Sequence, residues 1–251
     1  MQYTLKKSLG QHFLKDENIS RKIVSALTSH NFVNLLEIGP GGGALTKFLL
    51  QLNNIEFKAI EVDTEKIEYL LHTYPLLKDK ILHKDFLKAE IPFESNFVVV
   101  GNFPYNISSQ ILFKILEWKE HVPVMIGMFQ KEVAQRIAAK PNSKTYGILS
   151  VLVQAFYTVE YLFDVPPSAF NPPPKVMSGV IALSIKKENI QTRAEKDFFV
   201  LVKTAFNQRR KKLRNAVRNL FNEDILQAEI FDKRAEQLSI EDFAALTFKM
   251  K

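Results

Sequence analysis

The chain has 251 residues and no cysteine, which excludes disulfides, thiolate metal sites and a thiol nucleophile. Hydrophobic residues make up 46%, enough for a sizeable core, yet no run approaches the roughly 18 consecutive apolar residues of a membrane span. The net charge of +7 suits a polyanionic partner.

The N-terminal MQYTLKKSLGQHFL carries two lysines but no apolar stretch, so no signal peptide is expected and the location expected is cytoplasmic. The five histidines lack ligand spacing, and no metal is expected. From Glu17 to Leu27, apolar residues at Ile19, Ile23, Val24 and Leu27 predict a helix. Strand and helix patterns then alternate. Strands are predicted over Leu35–Ile38, Phe57–Val62, Lys80–His83, Phe97–Gly101 and Val122–Phe129. Helices are predicted over Ala44–Leu52, Thr64–Thr73 with Thr64 as N-cap, Ser108–Trp118, and onward from Lys131. This alternation predicts right-handed βαβ units and an α/β, doubly wound, mostly parallel sheet.

Past Pro141 the pattern changes. Tyr146–Phe156 has a helical period, and Tyr157–Val165 and Ser178–Ile185 form two strand patterns without a helix between them, which predicts an antiparallel edge. Charged helical periods follow over Lys196–Asn207, Arg209–Phe221 and Ile240–Phe248, and Ser239 with Asp242 has the form of a capping box. A boundary in the polar stretch Lys186–Thr192 divides the chain into an α/β domain, 1–187, and a small all-α domain, 188–251.

The stretch Glu37-Ile38-Gly39-Pro40-Gly41-Gly42-Gly43 follows the first predicted sheet strand and opens a helix. Four of the chain's nine glycines lie in it, the composition of a turn that lets backbone approach a ligand. Gly39-x-Gly41-x-x-Ala44 fits a dinucleotide site; the acid before the glycines fits S-adenosylmethionine equally well. Glu61, at the end of the next strand, can accept ribose hydroxyls in either case. Asp85 after the third strand discriminates, because an acid there can accept from an adenine amino group while Phe86 packs on the ring. Asp63 reads better as a helix cap.

The fourth strand runs into Gly101-Asn102-Phe103-Pro104-Tyr105-Asn106. At a strand end beside the cofactor crevice, the Asn102 carbonyl oxygen and a backbone carbonyl of the Phe103–Pro104 turn can hold an exocyclic amine, and Tyr105 can stack on its base. Such chemistry needs a base outside its helical stack, and positioning carries it. Phe170 in PPSAFNPPPK is either a second stacking aromatic or a core anchor. The bulk of Phe103 has no chemical use and is expected to pack beneath the turn.

Asn102-Phe103-Pro104-Tyr105 resembles the N-x-P-Y motif of methyltransferases acting on nucleobase amines. With Leu9-Gly10-Gln11-His12-Phe13-Leu14, Phe170-Asn171-Pro172-Pro173-Pro174-Lys175-Val176-x-Ser178 and Phe206-Asn207-Gln208-Arg209-Arg210-Lys211-Lys212-Leu213-Arg214-Asn215, the chain resembles the small-subunit ribosomal RNA adenine dimethyltransferases over nearly its whole length. The resemblance implies a Rossmann-like methyltransferase fold. It implies S-adenosylmethionine as donor, and dimethylation of N6 on two adjacent adenosines near the 3′ end of small-subunit rRNA during subunit assembly. It places His12, Leu14, Gly39, Gly41, Glu61, Asp85 and Asn102 at the cofactor. Asn102, Pro104 and Tyr105 fall at the target amine, and Phe170 at a second stacking position. The family often has Asn at the place of His12 and Leu at that of Phe103. Arg209, Arg210, Lys211, Lys212 and Arg214 form a basic segment suited to RNA phosphates. A monomer acting on a pre-ribosomal small subunit is expected. The rival readings are a large-subunit adenine methyltransferase of the antibiotic-resistance type and a non-catalytic RNA-binding assembly factor.

Overall fold

The structure, a computed structural model, describes residues 12–251; Leu9, Gly10 and Gln11 of the N-terminal motif lie outside them. Two compact units are formed. The first comprises 1–134 and 160–185, the second 135–159 and 186–251. The linear division near residue 187 therefore differs in one respect: residues 135–159 cluster with the C-terminal helices.

The first unit is built on β1 (Phe13–Leu14), α1 (Glu17–Thr28), β2 (Asn34–Ile38), α2 (Thr46–Leu49), β3 (Glu56–Glu61), α3 (Thr64–Thr73), β4 (Ile81–His83), β5 (Phe97–Asn102), α4 (Ser108–Glu117) and β6 (Val124–Gln130). It is completed by the start of α5 (Lys131–Ile137), the end of β7 (Tyr157–Val165), β8 (Phe170–Asn171) and β9 (Ser178–Ile185). Among the described residues, seven strands form one sheet in the order β4-β3-β2-β5-β6-β9-β7. The pairs β4–β3, β3–β2, β2–β5 and β5–β6 are parallel, and β9 pairs antiparallel to β6. This is the expected mostly parallel sheet with an antiparallel edge.

The sequence explains the pattern. β2 and β5 are buried along nearly their whole length, which is why they read as apolar runs rather than alternations. Helix α1 buries Ile19, Ile23, Val24 and Leu27 on one stripe, and Asp16 caps it by accepting from the Asn18 and Ile19 N–H groups. At α3 the cap is Asp63, not Thr64: its carboxylate accepts from the Glu65 N–H at 3.1 Å. A carboxylate one residue earlier reaches the free N–H groups with extended backbone, and Thr64 is drawn into the helix.

The second unit contains α6 (Ile148–Phe156), α7 (Glu195–Phe206), α8 (Leu213–Val217) and α9 (Ile240–Thr247). Residues 135–159 are tied to its C-terminal part by the Asn142 N–H to Glu236 carbonyl bond, and Lys186 N–H bonds the Phe156 carbonyl. The Ser239–Asp242 capping box is present in both directions, at 3.0 and 2.9 Å. The helix expected over Arg209–Phe221 is shorter: 207–210 form turns, α8 spans five residues, and Arg218–Leu220 is a 3-10 turn. Four consecutive cations oppose a helical turn of their own. Leu213 and Val217, one turn apart, supply the buried contact that starts α8.

Candidate active site

In the seven-stranded sheet the chain's direction of winding reverses between β2 and β5, the switch point at which ligands bind in open α/β sheets. A cavity lies there. It is lined by His12 and Leu14 from β1 and its approach, Gly39 and Gly41 after β2, Glu61 at the end of β3, Asp85 after β4, and Asn102, Pro104 and Tyr105 at the end of β5. The structure thus brings together nine of the ten residues singled out for the first unit; the exception is Phe170.

The glycine turn has the backbone that only glycine adopts without strain: φ is +66° at Gly39, +58° at Gly41 and +81° at Gly43. At Gly43 a Cβ would also lie 2.5 Å from the Tyr74 ring. The turn is joined to β3 by the Gly41 N–H, which donates to Glu61 Oε2 at 3.3 Å. Glu61 Oε1 accepts from the Val62 and Asp63 N–H groups at 2.9 and 3.1 Å. These bonds fix the carboxylate's direction, and Lys66 Nζ, almost buried on α3, stands 4.0 Å from Oε2. Lys66 lines the cavity and escaped the sequence reading. Its signal is positional: it sits three residues past the Asp63 cap, on the face of α3 above the strand end.

Glu37 is the acid before the glycines that the sequence reading noted as fitting S-adenosylmethionine. It lines the same cavity and is 2% exposed, and Thr46 Oγ1 donates to its Oε2 at 2.7 Å. Burial pushes its carboxyl up to about 8; the Thr46 hydrogen bond opposes that shift and the nearby Glu61 adds to it. Glu37 is therefore mostly protonated near pH 7.

Asp85 caps the short turn after β4 through its Oδ1, which accepts from the Leu87 N–H at 3.0 Å. It serves as a cap and also lines the cavity, since one carboxylate oxygen meets the backbone and the other remains available.

The Asn102–Tyr105 turn is oriented from several sides. Asn102 Nδ2 donates to the His12 carbonyl at 3.2 Å. A carbonyl only accepts, so the amide's orientation is set and Oδ1 is the atom left for a donor. The Pro104 carbonyl accepts from Ile107 N–H and Ser108 Oγ at the start of α4. The acceptor this leaves in the turn is the Phe103 carbonyl. The Tyr105 hydroxyl pairs with Ser178 Oγ at 2.6 Å, and burial holds its pKa above the usual phenol range.

Phe170 does not line the cavity. It is 1% exposed and belongs to the apolar core with Leu14 and Ile23, because β8 pairs antiparallel with β1 in the register Leu14↔Phe170. The ring that stands beside Tyr105 is His12, with centroids 5.6 Å apart and planes tilted by 32°.

The basic segment lies in the second unit. Arg209 ties a loop of that unit through the Ser143 and Lys144 carbonyls and stands 3.6 Å from Glu236. Lys212 and Arg214 both pair with Asp232, at 2.6 and 2.8 Å. Arg210 and Lys211 are exposed and make no such pair among the described residues. The five cations thus divide into three with structural partners and two without.

The family model for ribosomal RNA adenine dimethylase matches residues 2–250. The chain belongs to that family. Among family relatives, it is 53% identical over 246 residues to the ribosomal RNA small subunit methyltransferase A of Cytophaga hutchinsonii, covering 96% of this chain and 95% of that one. It is 54% identical over 250 residues to the same-named protein of Flavobacterium johnsoniae, with 98% and 95% covered. Among solved structures, a dimethyladenosine transferase from Plasmodium falciparum matches with a TM-score of 0.78 at 27% identity, over 92% of this chain and 94% of that one. The 23S rRNA methyltransferase ErmE matches with a TM-score of 0.73 at 22% identity, over 95% and 99%, and bears on the fold alone. The fold is that of the S-adenosylmethionine-dependent methyltransferases, and the chain is a methyltransferase of the adenine dimethylase family.

Proposed function

We propose that the protein transfers methyl groups from S-adenosylmethionine to the N6 amines of two adjacent adenosines near the 3′ end of small-subunit ribosomal RNA, acting as a cytoplasmic monomer on an assembling small subunit. The observation that carries this reading is the Asn102 amide. Its nitrogen is committed to the His12 carbonyl, which leaves Oδ1, with the Phe103 carbonyl nearby, as acceptors for an exocyclic amine. Two such acceptors hold the amine's hydrogens and free its lone pair from conjugation with the ring.

The residues present fit the cofactor. A glycine turn in left-handed backbone lets a ligand approach closely, Glu61 is aimed by three backbone N–H groups, and Asp85 keeps one carboxylate oxygen for an amino group. Gly39, Gly41, Glu61, Asp85 and Asn102, with His12 and Leu14, would hold S-adenosylmethionine. When bound, that group supplies an electrophilic methyl. Pro104 stiffens the turn that presents the amine, and Tyr105 offers its ring to the base. The work of these residues is alignment, for which no general base is needed.

Within the second unit, Arg210 and Lys211 are the cations best placed to meet RNA phosphates, while Arg209, Lys212 and Arg214 also shape the surface that carries them. Phosphate contacts of this kind contribute affinity and salt dependence rather than sequence choice. The reading is tested by incubating the protein and labelled S-adenosylmethionine with unmethylated small and large ribosomal subunits. Label is expected in small-subunit RNA; label in large-subunit RNA alone would refute the proposal.

A further inference from the structure

Helix α3 buries Lys66 and Leu70, one turn apart on the same face. Such a stripe ordinarily carries apolar side chains, and Leu70 conforms; Lys66, 7% exposed, places an ammonium there. Burying a charge is costly unless another charge answers it. The answering group is Glu61, also buried, whose Oε2 stands 4.0 Å from Lys66 Nζ. The same ammonium lies over the Phe13 ring, 5.5 Å from its centroid. That ring in turn covers Gly41, where a Cβ would stand 3.3 Å from Phe13 Cε1. Lys66 therefore joins the carboxylate at the end of β3 to the strand that crosses the glycine turn.

We infer that Lys66 is a positioning residue for the cofactor's ribose: its ammonium holds Glu61 in the orientation in which Oε2 receives a ribose hydroxyl, and through Phe13 it ties β1 over the glycine turn. This rests on the proposed S-adenosylmethionine site and deepens it by naming the side chain that aims Glu61. The sharing of the carboxylate supports the role. Oε1 accepts from the Val62 and Asp63 N–H groups and is filled. Oε2 accepts only the Gly41 N–H, at 3.3 Å, and keeps a lone pair for a hydroxyl. At 4.0 Å, Lys66 Nζ is beyond hydrogen-bond reach of that oxygen, so it answers the charge without occupying the lone pair. A lysine that merely packed α3 would affect every ligand of the cavity alike. One that aims Glu61 is felt by ligands that carry ribose hydroxyls.

The experiment measures, by calorimetry on full chains, the affinity of S-adenosylhomocysteine and of its analogue lacking both ribose hydroxyls. The wild type is expected to prefer S-adenosylhomocysteine by about 10²-fold. Lys66→Met keeps the apolar stem and removes the charge. It is expected to bind S-adenosylhomocysteine about 5- to 50-fold more weakly and the analogue within about twofold of the wild type, so that the preference collapses. Lys66→Arg, which keeps the charge, should retain most of the preference. The cycle is closed in a Glu61→Gln background, where adding Lys66→Met should cost S-adenosylhomocysteine nothing further. That double variant buries no unpaired charge and keeps the test decisive should Lys66→Met alone not fold. Equal losses for both ligands in Lys66→Met would make Lys66 a structural residue and overturn the inference. So would an unchanged S-adenosylhomocysteine affinity, or a further loss in the Glu61→Gln background, which would mark direct contact with the ligand. If the wild type itself binds no S-adenosylhomocysteine, the underlying reading of the cofactor site fails instead.

Discussion

The ring of Phe103 lies against Gly127, the residue paired with Gly101 across β5 and β6: a Cβ at Gly127 would stand 2.5 Å from Phe103 Cε2, and one at Gly101 2.5 Å from Cε1. Phe103 is 1% exposed and also meets Phe129, with ring centroids 5.0 Å apart. The bulk that the amine chemistry does not use therefore sits on two glycines beneath the turn and supports Asn102 and Tyr105 from below.

This contact makes a sharp expectation for a double-mutant cycle. Gly127→Ala should destabilise the protein by about 1–3 kcal/mol through overpacking. Phe103→Leu should recover part of that loss, with a coupling of about 0.5–3 kcal/mol measured by urea denaturation. Gly101→Ala should be recovered much less, because its Cβ would also meet the Ile38 backbone oxygen at 2.8 Å, which cannot move aside. Additive behaviour of Phe103→Leu and Gly127→Ala would show that the ring is not what fills the space.

Glu37 makes stability depend on pH in a direction opposite to most carboxylates. Its folded pKa, pushed up to about 8, lies above the ordinary carboxylate value of 4.5. Its contribution is fully present below about pH 4.5 and is lost as pH rises toward 8, because only the unfolded chain ionises freely over that window. Glu37→Gln keeps an acceptor for Thr46 and cannot ionise. Thermal melts from pH 5 to 9 should show the wild type losing stability relative to Glu37→Gln by up to about 4 kcal/mol, levelling off above pH 8. Parallel curves would contradict the buried, protonated carboxyl.

Ser178 holds the Tyr105 hydroxyl from the first residue of β9. Ser178→Ala leaves a half-buried phenol without its partner, at a cost of about 1 kcal/mol in positioning. Methyl transfer per bound subunit should fall about fivefold, with S-adenosylhomocysteine affinity unchanged, and Ser178→Thr should restore it. A loss seen equally in cofactor binding would mark a general structural defect.

The basic segment separates by partner. Arg210→Ala with Lys211→Ala should reduce the slope of log affinity against log salt for small-subunit binding by about two while leaving the melting temperature in place. Arg209→Ala should lower the melting temperature, because it frees the 143–144 loop carbonyls and Glu236. An unchanged salt slope in the double variant would place Arg210 and Lys211 on a solvated face.

Much of this was legible in the sequence because the deciding features are local. Apolar runs and capping residues locate the strands and helices, and glycine, acid, acid and Asn-x-Pro-Tyr at successive strand ends mark out the cavity. What was not legible depends on contacts distant in sequence. Phe170 and His12 are both aromatic rings beside apolar residues, and only the Leu14↔Phe170 pairing decides that one ring enters the core while the other meets Tyr105. Lys66 is an ordinary helix lysine until α3 lies over the end of β3. The only boundary legible in the sequence, the polar stretch Lys186–Thr192, leaves 135–159 with the α/β domain, yet its apolar helix α6 is buried nearly all round, which only packing with the C-terminal helices reveals.

The central claim is that the Asn102 turn presents adenine N6 of small-subunit RNA for methylation. It is tested most directly by mapping modified nucleotides after reaction of the wild type and of Asn102→Ala with both unmethylated subunits. The expected result is dimethyladenosine at two adjacent positions near the 3′ end of small-subunit RNA, lost by at least about 10²-fold in Asn102→Ala while S-adenosylhomocysteine still binds. Modification confined to large-subunit RNA, or an Asn102→Ala variant as active as the wild type, would contradict it.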